Sequence, residues 1–144
     1  MTHKVFSRQQ RITYSECTVG NHVYHARFLD LLERVRGEFF REIGCTFLSL
    51  QEQDVIFPVV ECAMKFKAPA RYDDLVTIEM WIAEMERVRL SFASRVLDAS
   101  GKALLETLIC HGCTRINGRP RRLPATLVEG LRPFLRLPEQ AASP

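Results

Sequence analysis

Residues 14–25, YSECTVGNHVYH, bring several reactive side chains of this 144-residue chain together just ahead of a strongly helical segment. The stretch holds one acid, Glu16, one thiol, Cys17, and two imidazoles, His22 and His25. Gly20 and Asn21 tolerate the positive φ of a sharp turn, which lets backbone approach a ligand closely. The start of the following helix offers free N–H groups and a partial positive charge, a setting suited to an oxyanion. At the centre of the loop, where a carboxylate base would be sought, stands Thr18. A hydroxyl can orient a water but cannot take its proton near neutral pH. Three groups could take it instead. Glu33 lies beside the helix's apolar stripe, where partial burial would make it a better base. Glu16 lies nearer the water, and His22 carries an imidazole, a common general base. Two of them have a plainer reading: a surface acid paired with an arginine for Glu33, a substrate contact for His22. A structural thiol is the plainer reading of Cys17.

A second cluster carries less. Cys110-His111-Gly112-Cys113 is a lone C-x-x-C inside a strand-like run, which sets its thiols on opposite faces. It lacks the helix start a redox pair needs, and it has no second pair for zinc. Neither metal nor bound cofactor is expected. Phe57, Phe66, Trp81 and Phe92 read first as core residues, some of them available to line a tunnel. The run Arg119-Pro120-Arg121-Arg122 could attract phosphate or an acidic protein, or stand as a solvated loop.

The elements that must position the loop follow from periodicity. Residues 5–14 read as a first strand. Phe28, Leu31, Leu32, Val35, Phe39 and Ile43 form one apolar stripe on a helix of about five turns, which Gly44 stops. The segments VIFPVVECAMKFK, LVTIEMWIAEME, VRLSFASRVL and KALLETLICHGCTRI are rich in β-branched and aromatic residues and read as four strands. DASGK reads as a hairpin turn, and Pro58 marks an edge strand or a bulge. A short helix near PATLVEGLRPFL closes the pattern. The fold class is α+β: about five antiparallel strands wrapped around a long central helix, in one domain over residues 1–138 with a tail at 139–144. A sheet of this size covers one side of a helix, so a homodimer or homotetramer is expected.

Bulk properties narrow the class further. Apolar residues make up 47% and charged residues 26%, an ordinary globular profile. A net charge of +3 is too small to suggest nucleic acid binding. No apolar run reaches the ~18 residues of a membrane span. Five scattered cysteines and no signal-peptide pattern point to a reducing, cytoplasmic setting.

The run YSECTVGNHVYHARFLDLLERVRGEFF resembles the 4-hydroxybenzoyl-CoA thioesterase family of the hot-dog fold, in particular its small bacterial acyl-CoA thioesterases associated with the Tol-Pal cluster. Tyr14, Gly20 (shifted by one), Val23, Tyr24, His25 and Glu33-Arg34-Val35-Arg36 match that family's loop and helix. PARYDDLVTIE matches its turn into the third strand, and the likeness spans about residues 5–118. The resemblance implies hydrolysis of an acyl-CoA or acyl-carrier-protein thioester, with the amide of His25 polarising the carbonyl. It implies substrate contacts from Gly20, Asn21, His22, Val23 and Tyr24, and phosphate contacts from Arg87 and Arg89. The family's catalytic aspartate falls at Thr18. A smaller set acting on carrier proteins in polyketide pathways also lacks that acid, and its helical arginine falls at Arg36. In another hot-dog branch the carboxylate stands eight residues after the oxyanion-hole residue, as Glu33 stands after His25. The rival reading is a thioester-binding protein without catalysis. A hot-dog dehydratase is weaker still, since its Asp/His pairing has no clear match.

Overall fold

A computed structural model describes residues 3–137. Five strands form one antiparallel sheet: β1 (Phe6–Arg11), β4 (Val59–Phe66), β5 (Leu75–Glu86), β6 (Arg89–Leu97) and β7 (Ala103–Gly112), in the order β1-β5-β6-β7-β4. The side-chain period of two puts Val76, Ile78, Met80 and Ile82 of β5 on one buried face. Leu90, Phe92 and Val96 of β6 share it, as do Leu105, Ile109 and His111 of β7. Across that face lies α1 (Arg27–Glu42), burying Phe28, Leu31, Leu32, Val35, Phe39 and Phe40. Phe39 stacks on Phe6 at 4.8 Å and meets Phe92 edge-on at 6.4 Å. One long helix held against a five-stranded antiparallel sheet is the arrangement that the periodicities imply, and it is the hot-dog fold that the resemblance implies.

The helix stops where expected, with Gly44 at φ +79° and its N–H bonded to the Arg41 carbonyl. The first strand is shorter than the expected 5–14. Its end gives way to a single 3-10 turn, Tyr14–Glu16. A short helix and, within the reactive loop, a two-stranded hairpin were not expected. The short helix α2 (Phe47–Glu52) starts at Thr46, whose hydroxyl accepts the Ser49 amide at 3.2 Å. Six residues are too few for a period of 3.6 to declare itself. The C-terminal helix α3 (Ala125–Leu131) packs Gly130 against Ile43, where an added Cβ would come within 3.1 Å. The hairpin at residues 98–102 is held by the Asp98 carboxylate, which takes the amides of Ser100 and Lys102. The tail at 139–144 lies outside the described residues.

Pro58 immediately precedes β4, the edge strand, and the register slips between Val59 and Glu61. All of β4 except the half-buried Met64 is exposed, Val60 and Phe66 by half or more. No helix covers this edge among the described residues.

Candidate active site

The reactive loop is fastened by its acid. Glu16 is only 6% exposed, and its Oε1 accepts the Thr13 amide at 2.8 Å and the Thr13 hydroxyl at 2.9 Å. Its Oε2 lies 3.3 Å from the Arg34 guanidinium on α1. Glu16 therefore acts as a clamp between loop and helix, with both oxygens engaged. Beyond it, β2 (Cys17–Thr18) and β3 (His22–Val23) form a two-stranded hairpin pairing Thr18 with His22. Gly20 at φ +86° and Asn21 at φ +61° make its tip, and a Cβ on Gly20 would stand 3.2 Å from the His22 ring. Val23 is buried, its N–H bonded to the Ala70 carbonyl, and the Tyr24 N–H bonds to the Glu16 carbonyl.

The chain then enters α1 uncapped. Ala26 precedes the helix with no side-chain cap, and the first helical amides, Arg27 and Phe28, bond back to Tyr24 and His25. Among the described residues no acceptor meets the amides of His25 and Ala26. Two free donors at a helix start form an electropositive spot. They adjoin a half-open pocket of about 380 Å³ whose walls include Thr18, His22, Tyr24, His25, Phe28 and Phe66. The His25 ring is exposed, 4.5 Å from Tyr24 and 6.3 Å from Phe66. Phe66 is half exposed and walls this pocket, which departs from the first of its two readings, a core residue, and agrees with the second, a residue available to line a tunnel.

Glu33 and Arg36 line a different pocket, of about 200 Å³, together with Phe57 and His111. Glu33 is exposed in this chain, where partial burial was expected. Arg36 is half-buried, its guanidinium 5.8 Å from the Phe92 ring and 6.0 Å from Phe47, and burial draws its pKa down. His111 was legible only as part of the C-x-x-C. It is 2% exposed, with Nδ1 2.9 Å from the Phe57 carbonyl oxygen.

The remaining candidates disperse. Arg87 lines a third pocket with Arg122 and Arg132, while Arg89 pairs with Glu84 at 3.6 Å. Arg121 donates to the Gln53 carbonyl. The Cys17 thiol is pushed up by burial and by the nearby Glu16 and Asp74 charges, and so stays protonated. Cys110 and Cys113 are buried, unbonded thiols, and Trp81 sits under the guanidinium groups of Arg95 and Arg136. No group of three or more His, Cys, Asp or Glu side chains among the described residues could hold a metal ion.

The five-stranded antiparallel sheet, the buried helix and its open start together define a hot-dog domain. The chain belongs to the thioesterase superfamily, whose family model matches residues 20–105. It is 30% identical over 129 residues to the acyl-CoA thioester hydrolase YbgC of Escherichia coli, covering 89% of this chain and 96% of that one. The acyl-CoA thioesterase YbgC of Haemophilus influenzae is 33% identical over 93 residues, 64% of this chain and 68% of its own. Among solved structures, a probable thioesterase from Bartonella henselae superposes with a TM-score of 0.79 at 29% identity, over 84% of this chain and all of that one. A 1,4-dihydroxy-2-naphthoyl-CoA thioesterase from Synechocystis gives a TM-score of 0.83 at 17% identity, over 90% and 96%, a likeness of fold alone.

Proposed function

We propose that this protein hydrolyses acyl thioesters, with coenzyme A or an acyl carrier protein as the thiol half, water as nucleophile and no metal or bound cofactor. The observation that carries this reading is the pair of unpartnered amides, His25 and Ala26, beside the pocket that holds Thr18 and His22. A thioester carbonyl seated there gains donors for the charge that develops as water adds. One such donor is worth about 10²–10³ in rate. Thr18 and Asn21 place the water, His22, Val23 and Tyr24 shape the pocket wall, and Gly20 makes the turn that presents them. Arg87 and Arg89 meet the phosphates of the thiol half by charge-assisted bonds.

The base is Glu33, acting between two copies of the chain. Within one copy His25 and Glu33 stand roughly 12 Å apart along the helix axis, too far to share a water. The β4 edge offers the remedy: an antiparallel pairing of two β4 strands reverses one copy against the other. The Phe66 end of one then lies beside the Phe57 end of its mate, and the free amides of one copy lie near Glu33 of the second. The assembly is a homodimer at least, and its five unbonded cysteines fit the reducing cytoplasm.

One observation favours the rival, a thioester binder without catalysis. The pocket with the free amides has Thr18 where the family carries its acid, and Glu16 is committed to Thr13 and Arg34. Turnover of acyl-CoA and acyl-carrier-protein substrates by wild type, Glu33→Ala and Thr18→Asp decides. Wild-type hydrolysis that falls ~10²–10⁴-fold in Glu33→Ala supports the proposal. Hydrolysis only in Thr18→Asp supports the binder.

A further inference from the structure

His111 presents an unmet hydrogen-bonding group beside a cavity. The Phe57 carbonyl can only accept, so the Nδ1 facing it carries the proton. Nε2 is then a bare lone pair, and it is buried with no partner. Leaving a buried polar atom unmet is costly, and such atoms commonly mark a missing water or ligand. The adjoining pocket of about 200 Å³ is walled by Phe47, Val55, Ile56 and Phe57, so it accepts an apolar body. Its polar side chains besides His111 are Glu33, Arg36 and Gln51. Glu33 is exposed at the surface, and Arg36 has five donors that no oxygen among the described residues engages.

A ligand that satisfies both side chains must donate to His111 and accept from Arg36. A carboxylate would engage Arg36 and present a second set of lone pairs to Nε2. An ammonium would engage Nε2 and face the guanidinium charge. A methyl end would leave both unmet. A hydroxyl donates through its hydrogen and accepts through its oxygen. His111 is a wall residue of this pocket, and its Nε2 is buried. Arg36, long and held by ring faces and the charge of Glu33 with no hydrogen bond among the described residues, is the neighbour best able to yield to an incoming group.

We propose that this pocket receives the far end of the acyl group and selects for a hydroxyl there, with His111 Nε2 accepting its hydrogen and Arg36 donating to its oxygen. The inference rests on the thioesterase reading above for the identity of the ligand. Sites built around a substrate hydroxyl reject the analogue lacking it more strongly than apolar pockets reject a lost methylene.

The test uses matched pairs of coenzyme A thioesters: 4-hydroxybenzoyl against benzoyl, and ω-hydroxydecanoyl against decanoyl. The two pairs distinguish a phenolic from an aliphatic hydroxyl. Both kcat/KM and equilibrium binding by calorimetry are measured for wild type, His111→Phe and His111→Asn. Phe keeps a ring in place, and Asn keeps an N–H for the Phe57 carbonyl. The expected result is a preference of about tenfold or more for the hydroxylated member of one pair, collapsing towards unity in both variants. Equal handling of both members in both pairs by wild type overturns the proposal, and so does a preference that survives in both variants. If wild type hydrolyses nothing, the enzymatic reading fails, and the same binding ratios still decide for or against the pocket.

Discussion

Glu16 and Arg34 face each other across eighteen residues of sequence, Oε2 to guanidinium 3.3 Å, while the other oxygen of the same carboxylate holds Thr13. One buried side chain thus joins the end of β1, the reactive loop and the third turn of the central helix. It orients the backbone just ahead of the free His25 amide, since the Glu16 carbonyl also takes the Tyr24 N–H.

Removing that carboxylate takes the acceptor from three donors, the Thr13 amide, the Thr13 hydroxyl and the Arg34 guanidinium. Glu16→Ala is expected to cost about 1–3 kcal/mol, the range for a buried group losing its partner. Glu16→Gln, which keeps one acceptor oxygen, should cost less. Thermal unfolding checks both. A Glu16→Gln protein that melts like wild type yet has lost turnover would instead make Glu16 the base.

Gly20 combines a φ of +86° with the His22 ring lying close to its Cα. Gly20→Ala meets a left-handed penalty of roughly 1–2 kcal/mol, and the ring must also give way. Urea denaturation should show that loss, and thioester turnover should fall with it as the hairpin shifts. Gly44→Ala is the control, because a Cβ there meets nothing within 4 Å. It should lose stability and keep its activity.

Burial lowers the pKa of His111, the bond to the Phe57 carbonyl opposes the shift, and the Arg36 charge adds to it. The folded value therefore lies below the unfolded one, about 6.5. The unfolded chain takes up the proton first as pH falls, so stability is full above that value and declines below it. Wild type should lose stability between about pH 7 and 5, and His111→Phe should lack that part of the slope. Urea midpoints across this range test it. A slope unchanged by the substitution would sink the assignment.

The β4 edge, with Val60 and Phe66 open to solvent, is the surface through which two copies are proposed to pair. A lysine there places charge on a strand edge, a device that blocks pairing. Val60→Lys combined with Cys62→Lys should shift the protein from dimer to monomer by sedimentation, with turnover lost in step. A dimer that persists would locate the interface elsewhere.

The order of elements was legible because both periods are local. The stripe from Phe28 to Ile43 and the four β-rich runs each repeat their signal many times; β4 to β7 fall within those runs, and α1 lies within one residue of the stripe at each end. The loop at residues 14–25 was legible by type, through its turn residues and its place before a helix. What the sequence by itself left open was the company each side chain keeps. Glu16 read as a possible base until folding tied it to Thr13 and Arg34, a contact across eighteen residues that no local pattern encodes. Glu33 and Thr18 read as members of one site, yet a rise of 1.5 Å per residue carries Glu33 into another pocket of the same copy. His111 read as a strand residue between two cysteines, and only the register of β7 against β4 brings it to Phe57 and leaves its second nitrogen unmet. Periodicity is written along the chain, whereas hydrogen-bond partnership depends on distances through space, which the tertiary packing alone decides.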